Sequence, residues 1–420
     1  MECLNQAKFP ANIVQLSNGL TVIHQHIPAT PVVVTDIWVR AGASAEPEEW
    51  SGMAHFLEHM IFKGTKRLAR GVFDQVIENR GGVTNAATSH DFAHFFLTTA
   101  ASHLPETLPY LGEILLQAAI PDEEFVRERD VVLEELRYSL DDPDWLGFQA
   151  LCETLYSRHP YGRSVLGTED YLWRHTPNQM RCFHATHYQP ENMTVVMVGG
   201  IEEDSALSLV ENSFSDFSVR SECPPVYIDS EPPLTEVRRC DLQLPGLEIA
   251  RLSMAWLGEG VTRLRDGYGL DLLSVILASG RTSRLVRELR EEKQLVQDIG
   301  SAFSLQKDSS LFTISAWLEE ENLELVEEII RDRVYELQTR PIPKAELDRC
   351  KRILCNDHAF STETPGQLAG LYGYYQTIAT AEVSTSYPHQ IQSLTARDLQ
   401  QIANCYLSPH HYAIIVLRSQ

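Results

Sequence analysis

The sequence predicts an α+β fold built as two similar units, and three observations carry that prediction. At 420 residues the chain is too long for one ordinary hydrophobic core. Residues 216–236, D-F-S-V-R-S-E-C-P-P-V-Y-I-D-S-E-P-P-L-T-E, are rich in Pro, Ser and acids and read as a linker. The second half then repeats the plan of the first. Strand-like L-E-I-A-R-L-S-M-A-W-L at 247–257 leads to a helix at 266–279, as residues 31–40 lead towards the first helices, and H-Y-A-I-I-V-L at 411–417 echoes the strand at 192–200. The expected division is residues 1–215, linker 216–236, and residues 237–420.

In chain order, residues 9–40 read as an edge hairpin, with Asn18-Gly19 between I-V-Q-L and L-T-V-I-H-Q-H, followed by V-V-V-T-D-I-W-V-R. His24 and His26 alternate with apolar neighbours and read as surface residues. Gly42–Trp50 is a loop. Val72–Asn79 is amphipathic, and residues 81–99 read as strand, with His90 and His94 four apart on one face and read as non-ligands. Helical segments, the loop H-P-Y-G-R-S-V-L-G-T at 159–168 and the strand N-M-T-V-V-M-V-G-G at 192–200 fill residues 146–215.

Composition narrows the function. A net charge of −23 argues against nucleic acid or an anionic membrane as partner, and is compatible with basic peptides or simply with a solvated acidic surface. No apolar run is long enough to span a bilayer. M-E-C-L-N-Q-A-K-F-P has no basic region followed by an apolar core, so no secretory leader is read. Eight scattered cysteines with no C-x-x-C pair read as reduced packing residues, and the expected location is cytoplasmic.

The chemistry concentrates at Ser51–Thr65, S-G-M-A-H-F-L-E-H-M-I-F-K-G-T. Ser51 is the expected N-cap of a short helix and Gly64 its stop. Ala54, Phe56, Leu57, Met60 and Ile61 direct most of it inwards. His55 and His59, at i and i+4, share a face at the spacing with which two imidazoles grip one metal ion. Glu58 lies beside them, placed to take a proton from water. The order H-x-x-E-H is the inverted-zincin signature. Two core histidines and a surface glutamate are the plain alternative.

A catalytic zinc needs a third protein ligand and an open position. Pro121–Leu140 offers one. Pro121 and Asp122 open a helix with acids in its first turn. Phe125, Val132 and Leu136 form an inward stripe, and Glu128 and Glu135, two turns apart, fall on or beside it. Buried carboxylates are costly unless a cation meets them. Without the histidine motif, Glu134 and Glu135 would read as solvated helix acids.

Together these stretches resemble the inverted-zincin peptidases, the family of pitrilysin, insulin-degrading enzyme and the mitochondrial processing peptidase. The matching words are G-x-A-H-F-L-E-H-M-x-F-K-G-T at 52–65, R-G-G-V-T-N-A-A-T-S at 80–89 and R-E-R-D-V-V-L-E-E at 127–135, with Glu135 lying 76 residues after His59. The resemblance implies a zinc endopeptidase with His55, His59 and Glu135 as ligands to Zn2+, Glu58 as general base and Glu128 as a carboxylate behind the ligands. It implies that Asn85 and Ala86 contact an extended peptide added to a sheet edge. It also implies two similar domains, each an antiparallel sheet with helices packed on one face, the second without a zinc site.

Residues 279–297, S-G-R-T-S-R-L-V-R-E-L-R-E-E-K-Q-L-V-Q, resemble the stretch in which active members carry an Arg and a Tyr seven apart. Arg290 fits the arginine as a substrate-binding residue, or merely pairs with neighbouring glutamates. Position 297 is Gln, not Tyr. The resemblance therefore implies a dimer closing a chamber, either a heterodimer with a related subunit bearing the Arg and Tyr, or a homodimer. A non-catalytic core or assembly subunit is the alternative.

Overall fold

In the computed structural model, which describes residues 9–420, the two halves build two sheets of related connectivity. Residues 1–8, read above for a leader and holding Cys3, lie outside the described residues. The first sheet contains β1 (Asn12–Gln15), β2 (Thr21–His26), β3 (Val32–Val39), β4 (Val83–Thr88), β5 (Ala93–Ala100) and β6 (Met193–Gly199), in the spatial order β1-β2-β6-β3-β5-β4. The second contains β7 (Arg238–Leu244), β8 (Ala250–Glu259), β9 (Asp298–Leu305), β10 (Ser309–Leu318) and β11 (Ala413–Ser419), in the order β7-β11-β8-β10-β9. In each half the last strand returns to the middle, parallel to the strand on one side and antiparallel to the other. The remaining pairings are antiparallel, so each sheet departs from the expected pattern at one pair.

The helices of the first half are α1 (Met53–Ile61), α2 (Val72–Glu78), α3 (Leu104–Leu116), α4 (Asp122–Leu140), α5 (Pro143–Leu155), α6 (Glu169–Arg174), α7 (Pro177–His187) and α8 (Glu203–Ser213). Those of the second are α9 (Leu264–Ala278), α10 (Leu323–Thr339), α11 (Lys344–Phe360), α12 (Pro365–Ile378), α13 (Val383–Ser393) and α14 (Ala396–Tyr406). Residues 216–236 form neither helix nor strand. Each half has its own apolar core: Ile37, Phe95 and Leu97 of the first sheet lie with Phe56, Met60 and Phe125, and Trp256 and Ile314 of the second with Leu273 and Ile330.

Helices cover more than the one face expected of each sheet. α12 of the second half packs on β3 and β6, while α5 of the first half packs on β7, β8 and β11. This exchange explains why β6 is buried along its whole length. A strand apolar on both sides needs cover on both sides. Close approach is part of the packing, since a Cβ on Gly373 of α12 would lie 2.0 Å from Trp38 Nε1. Polar contacts tie the halves as well: Tyr372 donates to Gln25 at 2.8 Å, and the Lys307 backbone N–H donates to Asp91 at 3.1 Å.

Three local expectations need correction. Residues 81–99 are not one strand but a hairpin of β4 and β5, because Ser89–Phe92 turns the chain. His90 therefore sits in the turn, bonded to the Arg163 carbonyl, whereas His94 lies in β5 against Asp36. His24 is buried, not a surface residue. Its strand is flanked by β1 and β6, and its Nε2 lies 2.9 Å from the Ile201 carbonyl oxygen.

Candidate metal centre

The helix α1 is set by its buried face and by an unusual start. Met53, Ala54, His55, Phe56, Leu57, Met60 and Ile61 are all buried. The residue before the helix is Gly52, at φ +88°, a backbone conformation that favours glycine. Ser51 does not cap it, because its side chain makes no capping bond and it belongs to the preceding turn. The orphan N–H groups go instead to Glu46, whose two carboxylate oxygens accept from Gly52 N at 2.9 Å and Ala54 N at 2.7 Å. Burial pushes the Glu46 carboxyl up to about 8, against the backbone N–H groups of Ala54 and Gly52, which favour its ionised form. The helix ends at Ile61, before Gly64.

From this helix His55 and His59 reach α4, which starts at Asp122 behind Pro121 as expected. Phe125, Val132 and Leu136 bury the inward stripe, and Glu128 is buried with them, whereas Glu134 stays exposed. Glu135 Oε1 lies 3.6 Å from His55 Nε2, and its Oε2 lies 3.2 Å from His59 Nε2. The ligand atoms of His55, His59 and Glu135 all fall within 4.8 Å of one another. Three atoms bound at about 2.0–2.1 Å to one tetrahedral zinc lie roughly 3.3 Å apart, so the arrangement has the right size.

The donor set also has the right chemistry. Glu128 Oε1 lies 3.0 Å from His59 Nδ1, which places the ring proton there and the lone pair on Nε2, facing Glu135. A lone pair and a carboxylate oxygen at 3.2 Å require a cation between them. When that cation is a proton, burial opposes it, but Glu128 and Glu135 outweigh burial and lift the His59 pKa to about 9. The hydrogen bonds with His55 and His59 hold Glu135 well below the usual carboxylate range. Zinc fits the same place, with His55, His59 and Glu135 able to hold it.

Glu58, between the two histidines on α1, is not one of the three converging ligands, and its Oε2 accepts from Thr88 Oγ1 at 2.6 Å. Thr88 ends β4, the outermost strand of the first sheet, so the carboxylate is tethered beside a sheet edge that is unpaired among the described residues. Ala86 shares its face of the strand with Thr84 and Thr88, while Asn85 is exposed on the opposite face beside Phe96. The structure thus brings His55, His59, Glu58, Glu128 and Glu135 together, with the β4 edge alongside. Arg290 is occupied elsewhere, on a π-helical turn at Val286–Glu292, paired with Glu291 at 3.0 Å and Asp298 at 2.9 Å.

Three participants escaped the sequence reading. Glu46 is one of three acids in its loop, and nothing in the order A-E-P-E-E-W separates it from exposed Glu48 and Glu49. Lys63 lies inside the G-x-A-H-F-L-E-H-M-x-F-K-G-T word and meets Glu128 at 2.7 Å, a pairing visible only once α4 is in place. Thr88 lies inside the N-A-A-T word, but its link to Glu58 needs the sheet.

Comparison with known proteins bears on the family of the whole chain. Residues 21–169 match the family described as insulinase (peptidase family M16), and residues 174–354 match the peptidase M16 inactive domain. The zinc protease PqqE of Helicobacter pylori is 29% identical over 410 residues, 96% of this chain and 92% of that one. An uncharacterised zinc protease of Mycobacterium leprae is 31% identical over 309 residues, 72% of this chain and 67% of its own. The crystal structure of a protease from Helicobacter pylori matches with a TM-score of 0.89 and 28% identity, across 97% of this chain and 99% of that one. With both halves matched and relatives that carry the name zinc protease, the chain belongs to peptidase family M16.

Proposed function

We propose that this protein is a zinc-dependent endopeptidase acting on extended peptides. The observation that carries the reading is the convergence of His55, His59 and Glu135 with a separate carboxylate, Glu58, beside a sheet edge that is free among the described residues. A bound zinc ion would supply Lewis-acid activation of water and of the scissile carbonyl. Glu58 takes the proton from the attacking water and delivers it to the leaving amine, with Thr88 holding its carboxylate in place. Glu128 fixes the His59 ring. An extended substrate adds to β4 through backbone hydrogen bonds near Asn85 and Ala86, which makes recognition tolerant of sequence. An arginine, Arg290 of this chain or one from a partner, would meet the developing oxyanion.

The working form in this reading is a dimer that closes a chamber, with this chain as its zinc-bearing subunit, and the location is cytoplasmic. Gln297 favours a partner that brings the missing tyrosine, and the same residue is what favours the competing reading of a non-catalytic subunit.

The test is cleavage of unstructured basic peptides by the purified chain, with metal content measured alongside and Glu58→Gln as control. Activity near one zinc per chain, lost in the variant, supports a self-sufficient enzyme. Zinc without cleavage points to a partner subunit, sought by co-purification. Absence of both zinc and cleavage overturns the peptidase reading.

A further inference from the structure

The cysteines that look scattered in sequence are not all separate in the fold. Cys182 on α7 and Cys223 in the irregular run after α8 have their Sγ atoms 3.6 Å apart, and both are partly exposed. The encounter is held in register by the backbone. Ser221 N donates to the Ala185 carbonyl at 3.3 Å, Thr186 Oγ1 donates to the Ser221 carbonyl at 3.0 Å, and Gln189 Nε2 donates to the Ser218 carbonyl at 3.1 Å. The run from Ser218 to Cys223 is thus strapped along α7, with its thiol opposite a thiol of the helix. Disulfide sulfurs sit near 2.04 Å, so bonding requires an approach of about 1.6 Å. Side-chain rotation and the give of a segment without helix or strand can supply it.

We propose that Cys182 and Cys223 are a modification site, a thiol pair that closes to an intramolecular disulfide by exchange with a small-molecule disulfide of the glutathione class. One protein thiolate attacks the oxidant, forms a mixed disulfide and releases one glutathione thiolate. The second protein thiolate attacks the mixed disulfide and releases the other glutathione. The two thiol protons end on the two released thiolates, so the protein loses two electrons and the oxidant gains them.

The bond would fasten a segment that matters to the architecture. Pro224, Pro225, Val226 and Ile228, directly after Cys223, help to line a cleft of about 590 Å3 that Lys307 and Ile378 of the second half also line. α7 packs against α1, the helix of the two histidines. Oxidation therefore anchors the segment joining the halves to the helix behind the metal centre. This inference stands independently of the peptidase reading, since it needs neither metal nor substrate.

The test is oxidation of the full folded chain with oxidised glutathione, followed by alkylation of remaining thiols, proteolysis and mass spectrometry. The expected result is a peptide pair linked through Cys182 and Cys223, two hydrogens lighter than the reduced pair and restored by dithiothreitol. In Cys182→Ser, Cys223 should either stay alkylatable or stop at a single glutathione adduct, while circular dichroism shows the same fold. The proposal is overturned if both cysteines stay alkylatable or glutathionylated in the wild type, or if either links to a different cysteine.

Discussion

His59 Nδ1 lies 3.0 Å from Glu128 Oε1, and the other oxygen of Glu128 lies 2.7 Å from Lys63 Nζ. The buried carboxylate, on the neighbouring helix α4, therefore joins a ring on α1 to a lysine just beyond the end of that helix. The contact fixes which nitrogen of His59 carries the proton and hence which can bind a metal.

Replacing Glu128 by Gln should therefore weaken zinc binding about 10–100-fold, with a much smaller change in the rate of the zinc-loaded enzyme. Competition against a chelator of known affinity measures it. Unchanged affinity would show that His59 keeps its orientation without Glu128.

Glu46 satisfies two N–H groups at the start of α1 from a fully buried position. Glu46→Ala leaves those donors unpaired, which costs about 1–3 kcal/mol. Chemical denaturation should show the loss, and zinc should dissociate faster because His55 sits in the first turn. A variant as stable as the wild type would mean that water replaces the carboxylate without penalty.

Asp271 accepts a hydrogen bond from Tyr387, and its burial, with Asp357 adding to it, raises its pKa from 3.8 to about 6. Folding thus favours the protonated acid. The associated stability is complete below the unfolded pKa and is lost as pH rises through about 6, by about 3 kcal/mol in total. Asp271→Asn removes this dependence while keeping an oxygen for Tyr387. The variant should match the wild type near pH 4 and exceed it at pH 7.5, measured as the difference in denaturation midpoint. A difference independent of pH would show that Asp271 titrates normally.

The two exchanged helices differ in how tightly they seat. A Cβ on Gly373 of α12 meets the Trp38 ring at 2.0 Å, whereas one on Gly147 of α5 meets Leu417 at 3.2 Å. Gly373→Ala should therefore lower stability by about 1–3 kcal/mol through overpacking, and Gly147→Ala should cost clearly less. Thermal denaturation of the pair decides it. Equal effects would mean that α12 shifts freely on the first sheet.

Much of this molecule is legible in local patterns. The i and i+4 histidines, the acids beside the inward stripe of α4, the Asn18-Gly19 hairpin and the two returning strands depend on neighbours within a turn or a strand, where periodicity is set by backbone geometry. Those patterns sufficed for a two-part α+β chain and for three residues that could hold a metal. What they could not reach were relations between residues far apart in sequence. Glu46 is just another loop acid until α1 folds back to it, His24 looks exposed until β6 arrives beside β2, and Cys182 meets Cys223 only when the linking run lies down on α7. The exchange of α5 and α12 belongs to the same class, because an apolar helix face states that it must be buried but not against which sheet. The sequence by itself determined most of the elements and the candidate donor atoms for a metal. Only the tertiary structure decided their partners, since contacts across hundreds of residues are selected by packing of the whole chain and leave no periodic trace in any one segment.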